Sequence, residues 1–400
     1  MTLGTMAVDH EIRIDYDKLR RDRLAKTREQ MQKDKLGALL VYDPDNVRYI
    51  TSTKLGEWVT NKLARYCLLP LTGDPILFEV GSAIRTKKMY CPWIKDIRPS
   101  KSDMRGTMPS QPAADKSIGE IAAILKDLHL EKEPVGVDYL TVPLMKAFQK
   151  YGLNIVDGQE TMLNAQVIKT REEIQVLEIA AAMVDAAYWD VVNFIHPGVR
   201  ENEVVALMRQ RLFELGAENV HNVNVITGNR SHPHPHDFSD RIIRPGDMIF
   251  IDVVNDFNGY KTCYYRTFVC GKPTERQKRV YKKAYDWLYS AIEKVKPGVS
   301  TAEIAACWPD YQELNYESEY EAFALELGHG VGISHWAKPI ITRGYSFDYP
   351  EELQENMHIA FETYYGEGED GARIEEQLVV TRDGYRIITK FPCEELISCW

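Results

Sequence analysis

The sequence is short of several things, and each shortage removes a class of protein. Cysteine is sparse, seven in 400 residues, an odd number without paired spacing that excludes a disulfide scaffold and reads as reduced thiols of a cytosolic protein. Positive charge is short as well: 49 Lys and Arg against 59 Asp and Glu leave a net charge of −10, so the basic surplus of a general nucleic-acid binder is missing. Long apolar runs are missing too, because Leu36 to Val41 and Ile174 to Ala187 are too short or too interrupted by charge to cross a bilayer. Met1 to Asp34 is crowded with charge and holds no apolar core of a signal peptide. The expectation is a cytoplasmic protein with neither nucleic acid nor membrane as partner. What is present, 44% hydrophobic and 27% charged residues, suits a globular chain of two domains or one large one.

The first 163 residues read as an α/β domain. Tyr16 to Asp34 has the pattern of a charged amphipathic helix, and Leu36 to Tyr42 that of a buried strand closed by a turn at Asp43-Pro44-Asp45-Asn46. Tyr66 to Leu71 and Pro75 to Val80 predict a hairpin around Thr72-Gly73-Asp74. A helix over Ile118 to Leu128, a strand near Pro134 to Val137 and a helix over Val142 to Lys150 complete this part, with the boundary near Asn164.

Residues 164–400 contain an internal repeat. Thr170-Arg171-Glu172-Glu173 caps a long helix to about Phe194, followed by His196-Pro197-Gly198-Val199 and a helix from about Glu201. One hundred residues later come a helix over Thr274 to Val295, Lys296-Pro297-Gly298-Val299 and a helix from about Thr301. Each half then ends in two strands: Met248 to Val254 with Tyr264 to Val269, and Met357 to Thr363 with Arg373 to Val380. Asp252 and Cys263, 11 residues apart, and Glu362 and Glu375, 13 apart, fall on these pairs, so like hairpins would aim four groups into one cavity.

Burying three carboxylates costs several kcal/mol each without compensation, and a divalent cation is the simplest compensator. His329, in Leu327-Gly328-His329-Gly330-Val331-Gly332, is placed to join them. Asp, His and Glu suit Mn, Fe, Co or Zn, and the Cys263 thiolate biases the set toward Zn or Fe.

On these residues the chain resembles the creatinase and aminopeptidase P family of pita-bread enzymes, over nearly its whole length. The resemblance implies a creatinase-type N-terminal domain followed by an α/β (α+β) pita-bread catalytic domain. The family's metallopeptidases bind paired metals through two Asp, one His and two Glu. Asp252, His329, Glu362 and Glu375 stand on four of those positions, the last inside Arg373-Ile374-Glu375-Glu376-Gln377-Leu378-Val379-Val380-Thr381. Cys263 stands on the fifth. The peptidases place Pro after the first Glu, where this chain has Thr363, and a second His seven residues after the first, where it has Trp336.

Those departures point to a non-peptidase branch, similar to dimethylsulfoniopropionate lyases and with creatinase-like features. Phrases at Tyr42 to Tyr49, Trp58 with Arg65, Arg241-Ile242-Ile243 and Phe347-Asp348-Tyr349-Pro350 carry this likeness. It implies that Arg65 holds a carboxylate across a homodimer interface, so that the active site is shared between subunits; the aromatic residues Trp58, Tyr42, Tyr49 and Tyr66 around Arg65 suggest a zwitterionic substrate, with Arg65, Trp58 and Tyr49 as the substrate-binding residues. The lyase's catalytic base falls on His335. Creatinase's acid/base His falls next to His234 and His236, in Ser231-His232-Pro233-His234-Pro235-His236.

The expectation is therefore a homodimeric enzyme cleaving a C–S or C–N bond of a small zwitterionic carboxylate. One divalent metal (Fe, Zn or Mn) is expected on Asp252, Cys263, His329, Glu362 and Glu375, with a metal-free mechanism as the alternative. His335, His236, His234, Cys263 and Glu362 are the candidate catalytic residues, Cys263 as nucleophile if metal is absent. A metal-dependent Xaa-Pro aminopeptidase or prolidase is the second reading, and an inactive pita-bread binding protein the third.

Overall fold

A computed structural model describes residues 14–54, 61–103 and 105–400. The first helix, Tyr16–Lys33, starts where Asp15 accepts from the Lys18 amide. The expected turn after the first strand is instead a helix, Pro44–Thr51. Asp43 caps it by accepting from the amides of Asp45 and Asn46, and Pro44 occupies the first turn where its missing N–H costs nothing. The same Asp-Pro-Asp-Asn phrase therefore serves as a start signal, not a reversal.

Around Ala38–Val41 a six-stranded sheet forms in the order Asp96–Pro99, Ile76–Glu79, Tyr66–Pro70, Ala38–Val41, Val135–Val137, Ile155–Asp157. Tyr66–Pro70 and Ile76–Glu79 make the expected antiparallel hairpin. The outermost strands, three and four residues long, escaped the sequence reading because they are too short to show a period.

The repeat is visible in hydrogen bonds. Thr170 and Thr274 each close a capping box, with Glu173 and with Gln277. The Gly198 amide donates to Ile243 and the Gly298 amide to Leu353, both glycines at left-handed φ of +100° and +84°. Each half then contributes a five-stranded sheet, one ordered Ile397–Cys399, Tyr265–Cys270, Met248–Phe257, Asn219–Thr227 with Tyr260–Lys261 appended. The other is ordered Ala337–Ile341, Leu327–Gly330, His358–Glu367, Asp370–Thr381, Gly384–Ile387.

Thr267 ties the two sheets: its Oγ1 donates to Arg373 O at 2.6 Å and accepts from the Arg373 amide at 2.9 Å. Helix Arg171–Phe194 packs on the first sheet through Val184, Tyr188 and Val191 against Ile251 and Phe268. Helix Glu275–Ile292 packs on the second through Val280, Ala284 and Leu288 against Phe361 and Ile374. Burying these apolar faces is worth about 25 cal/mol per Å² removed from water. No helix among the described residues is long and apolar enough to cross a membrane.

Candidate active site

Register assembles the site. Tyr265 lies directly opposite Asp252, so Cys263, two residues before Tyr265, falls on the Asp252 face as its diagonal neighbour. In the other half Glu362 faces Glu375 directly, and Leu327 faces Glu362 from the opposite side; His329 therefore joins the Glu362 face by the same alternation. Tyr188 steadies the first hairpin, its hydroxyl lying 2.8 Å from Ile251 O and 2.7 Å from Tyr264 O. At Gly330 a Cβ would sit 1.9 Å from Lys338 O, so only glycine lets Ala337–Ile341 approach the His329 strand this closely.

The donors converge. Cys263, His329 and His335 offer one ligand atom each within 4.8 Å of one another, and so do Asp252, Cys263 and Glu375. His329 Nε2 is 3.9 Å from Glu375 Oε1. Asp252 Oδ1, both Glu375 oxygens, His329 Nε2 and His335 Nε2 are buried without a hydrogen-bond partner. Orphaned buried polar atoms are costly, and five converging in one place fit a cation: carboxylate oxygens, imidazole nitrogens and a thiolate are the donors that divalent transition metals take.

Glu362 belongs to a different arrangement. Its Oε2 accepts from Arg373 Nε at 3.1 Å and from a second Arg373 nitrogen at 2.5 Å. The guanidinium lies 4.4 Å above the Tyr265 ring and also meets His234 Nε2 and the Ala324 carbonyl. Its charge is thus matched to Glu362, while Asp252, Cys263, Glu375, His329 and His335 are the residues grouped closely enough to be able to hold an ion. Asn224 donates to Asp252 Oδ2 at 3.4 Å.

Burial controls protonation here. It raises Asp252 to about 7, with Glu362 adding to the effect, and pushes Glu375 well up. It raises the Cys263 thiol well above its ordinary value, and Glu375, Asp252 and Glu362 raise it further. Without a cation Cys263 is therefore a neutral thiol, which runs against the expectation of a nucleophile, since the thiolate is the reactive form. Burial lowers His329 to about 4 and His335 to about 3, leaving both as neutral imidazoles suited to ligation. A base so weak is poorly matched to proton abstraction near pH 7, so His335 sits less well as the expected base.

The remaining expected residues divide. His234 reaches the site: its ring packs 5.0 Å from Tyr364, 5.3 Å from Phe250 and 4.4 Å from His236, and burial and Arg373 lower it to about 2. His236 is exposed beside it, lowered by the same causes. Arg65 does not reach the cluster of its own chain. Its Nε donates to Glu79 at 3.0 Å, a second nitrogen to Thr53, and both ends of the ion pair are buried. Tyr49 is a core residue, its hydroxyl donating to Ala165 O at 3.1 Å; Tyr42 and Tyr66 are buried in the N-terminal sheet. Aromatic residues beside an Arg proved to be packing, the commoner use of such rings. Trp58 lies outside the described residues.

Two departures gain physical roles. Thr363 donates its hydroxyl to Ala284 O at 2.7 Å, pinning the Glu362 strand to a helix. Trp336 stacks on His329, with ring centres 4.4 Å apart and planes at 27°. Sequence reasoning did not single out Arg373, although its place two residues before Glu375 puts it on the same strand face.

Comparison with known proteins agrees with this architecture. Residues 175–382 match the metallopeptidase family M24, and residues 23–164 match the creatinase/prolidase N-terminal domain. The chain is 27% identical to an Xaa-Pro dipeptidase of Pyrococcus furiosus over 378 residues, covering 92% of this chain and 98% of that one. It is 26% identical to a dimethylsulfoniopropionate lyase of Roseobacter denitrificans over 379 residues, covering 88% and 81%. The solved Xaa-Pro dipeptidase from Bacillus anthracis superposes with a TM-score of 0.77 at 23% identity over 95% of this chain and 99% of that one, a likeness of fold. The protein thus belongs to metallopeptidase family M24, with a creatinase/prolidase N-terminal domain ahead of its pita-bread domain.

Proposed function

We propose that this protein is a metal-assisted enzyme that cleaves a C–S or C–N bond in a small zwitterionic carboxylate, outside peptide hydrolysis. The observation that carries the reading is Cys263 at the centre of the donor cluster, with Glu362 committed to Arg373. That leaves a centre of altered donor set in place of the paired-metal carboxylate site of the peptidases. A divalent ion bound there would act as a Lewis acid on the substrate's polar group.

The chain's own residues supply the rest. Cys263, Glu375 and His329 would hold the ion with Asp252 beside them, while Arg373 opposes the burial that raises Glu362 and orients its carboxylate. His236, exposed at the rim, is the position from which a proton would be taken or returned, because the Nε2 of His234 is held against Arg373. Phe250, Tyr265 and Tyr364 form an apolar wall that limits water around the reacting bond. We take the working unit to be a homodimer in the cytoplasm.

A second reading, an Xaa-Pro dipeptidase, is favoured by the matches to Xaa-Pro dipeptidases from two Pyrococcus species, 27% and 28% identical over 92% of this chain. One experiment separates the two. Protein reconstituted with Zn, Mn or Fe is offered Xaa-Pro dipeptides and, separately, dimethylsulfoniopropionate, betaines and guanidino acids, with products followed by NMR. Turnover among the non-peptide zwitterions and none among the dipeptides supports the proposal. Turnover of Xaa-Pro dipeptides alone overturns it in favour of the second reading.

A further inference from the structure

Cys263 belongs to two donor triads at once, one of oxygens with Asp252 and Glu375 and one of nitrogens with His329 and His335. The nitrogen triad is the unusual one. His335 comes six residues after His329, and Trp336, the next residue, stacks flat on the His329 ring. With Trp336 occupying that face, His335 packs edge-on to His329 at 80°, ring centres 5.6 Å apart. Its Nε2 is buried and unpartnered, as is Nε2 of His329. Among the described residues neither ring's Nε2 bonds to a protein group, and both rings offer a nitrogen close to the Cys263 thiol.

We infer that Cys263, His329 and His335 ligate one divalent ion directly, with Glu375 as the fourth ligand. The donor set is then one sulfur, two imidazole nitrogens and one carboxylate oxygen, a set that suits tetrahedral Zn or Co and Fe(II) and disfavours Mg and Mn, which prefer oxygen. His335 becomes a metal ligand, and the acid/base work passes to His236. The inference rests on the metal-assisted reading only in requiring that an ion binds at all.

The test uses the full-length protein, stripped of metal and reloaded with Zn or Co alone. X-ray absorption at the Zn edge is expected to show one sulfur at about 2.3 Å and nitrogen or oxygen neighbours at about 2.0 to 2.1 Å. The Co form is expected to show a near-ultraviolet thiolate-to-cobalt charge-transfer band, which Cys263→Ser abolishes. His335→Gln is expected to weaken Co binding by more than the about 10- to 100-fold that loss of an outer-sphere partner costs. A bound ion with no sulfur neighbour, or a Co affinity untouched by His335→Gln, overturns the inference and leaves the proposed function standing. Failure to bind Zn or Co overturns the inference, and failure to bind Mn and Fe as well overturns the proposed function. Because the absorption measurement needs only the unaltered protein, it decides for or against the sulfur ligand even where the Cys263→Ser chain does not fold.

Discussion

Replacing Arg65 separates a structural residue from a substrate clamp. Within its own chain the guanidinium is buried, pairs with Glu79 at 3.0 Å and also donates to Thr53; among the described residues Glu79 otherwise accepts only from the Val80 amide. In Arg65→Met the Glu79 carboxylate stays buried without its partner, and breaking such a pair from one side costs about 3 to 5 kcal/mol. Replacing both ends with apolar groups, Arg65→Met with Glu79→Leu, removes the stranded charge, and most of the loss is expected to return. The assay is urea unfolding followed by circular dichroism, with the first transition assigned to the N-terminal sheet because a chain of this size need not unfold in one step. At a temperature where the single variant stays folded, turnover of a substrate is expected to keep its KM. A single variant as stable as the unaltered protein, with KM raised instead, would disprove the structural role and make Arg65 a substrate-binding residue after all.

Thr170→Ala removes the side-chain half of the capping box, the 3.2 Å bond that Thr170 Oγ1 accepts from the Glu173 amide, and leaves the 2.8 Å bond from the Thr170 amide to Glu173; it is expected to lower stability by about 1 kcal/mol in urea titration. Tyr188→Phe deprives the Ile251 and Tyr264 carbonyls of their shared donor; a loss of about 1 to 3 kcal/mol is expected from calorimetry, with the cobalt spectrum broadened as the hairpin loosens. Burial raises the Asp138 carboxyl to about 6, against the amides of Tyr42 and Asp43 and the Asn46 side chain that favour its charged form. A group whose folded pKa is raised contributes stability that is complete below its unfolded value of 3.8 and is lost as pH rises through about 6, an effect of about 3 kcal/mol. The stability difference between the unaltered protein and Asp138→Asn, measured from pH 4 to pH 7, should therefore shrink with rising pH; a constant difference would show that Asp138 does not titrate in this range.

Periodic and punctuated features were legible in the sequence. Long amphipathic helices announced by Thr170 and Thr274, and strand pairs separated by 11 and 13 residues, are strong signals because caps and alternation act locally. The repeated Pro-Gly-Val phrases marked the two halves because each glycine takes a left-handed turn before a helix. Asp252, Cys263, Glu362 and Glu375 could be grouped because they recur in step with the internal repeat, and His329 because its glycine-rich phrase lets an imidazole reach the same place. The partners of these residues were not legible. That Arg373 would claim Glu362, that Arg65 would be used by Glu79, and that His335 would turn inward beside Trp336 depend on the packing of segments distant in sequence. Tyr49 misled because an aromatic beside an Arg is written the same way in a core as in a binding pocket.

The proposed centre is a single ion among Asp252, Cys263, Glu375, His329 and His335, with Arg373 serving Glu362. Metal content per chain, determined by inductively coupled plasma mass spectrometry after saturation with Zn and removal of excess, bears on it without any assumption about substrate. About one ion per chain is expected, falling when His329 is replaced by Ala, as befits a centre with a single set of nitrogen and oxygen donors. Two ions per chain at saturation would show that Glu362 is shared with a second metal in spite of Arg373, and none would show that the converging donors serve no metal; either result contradicts the single-ion site.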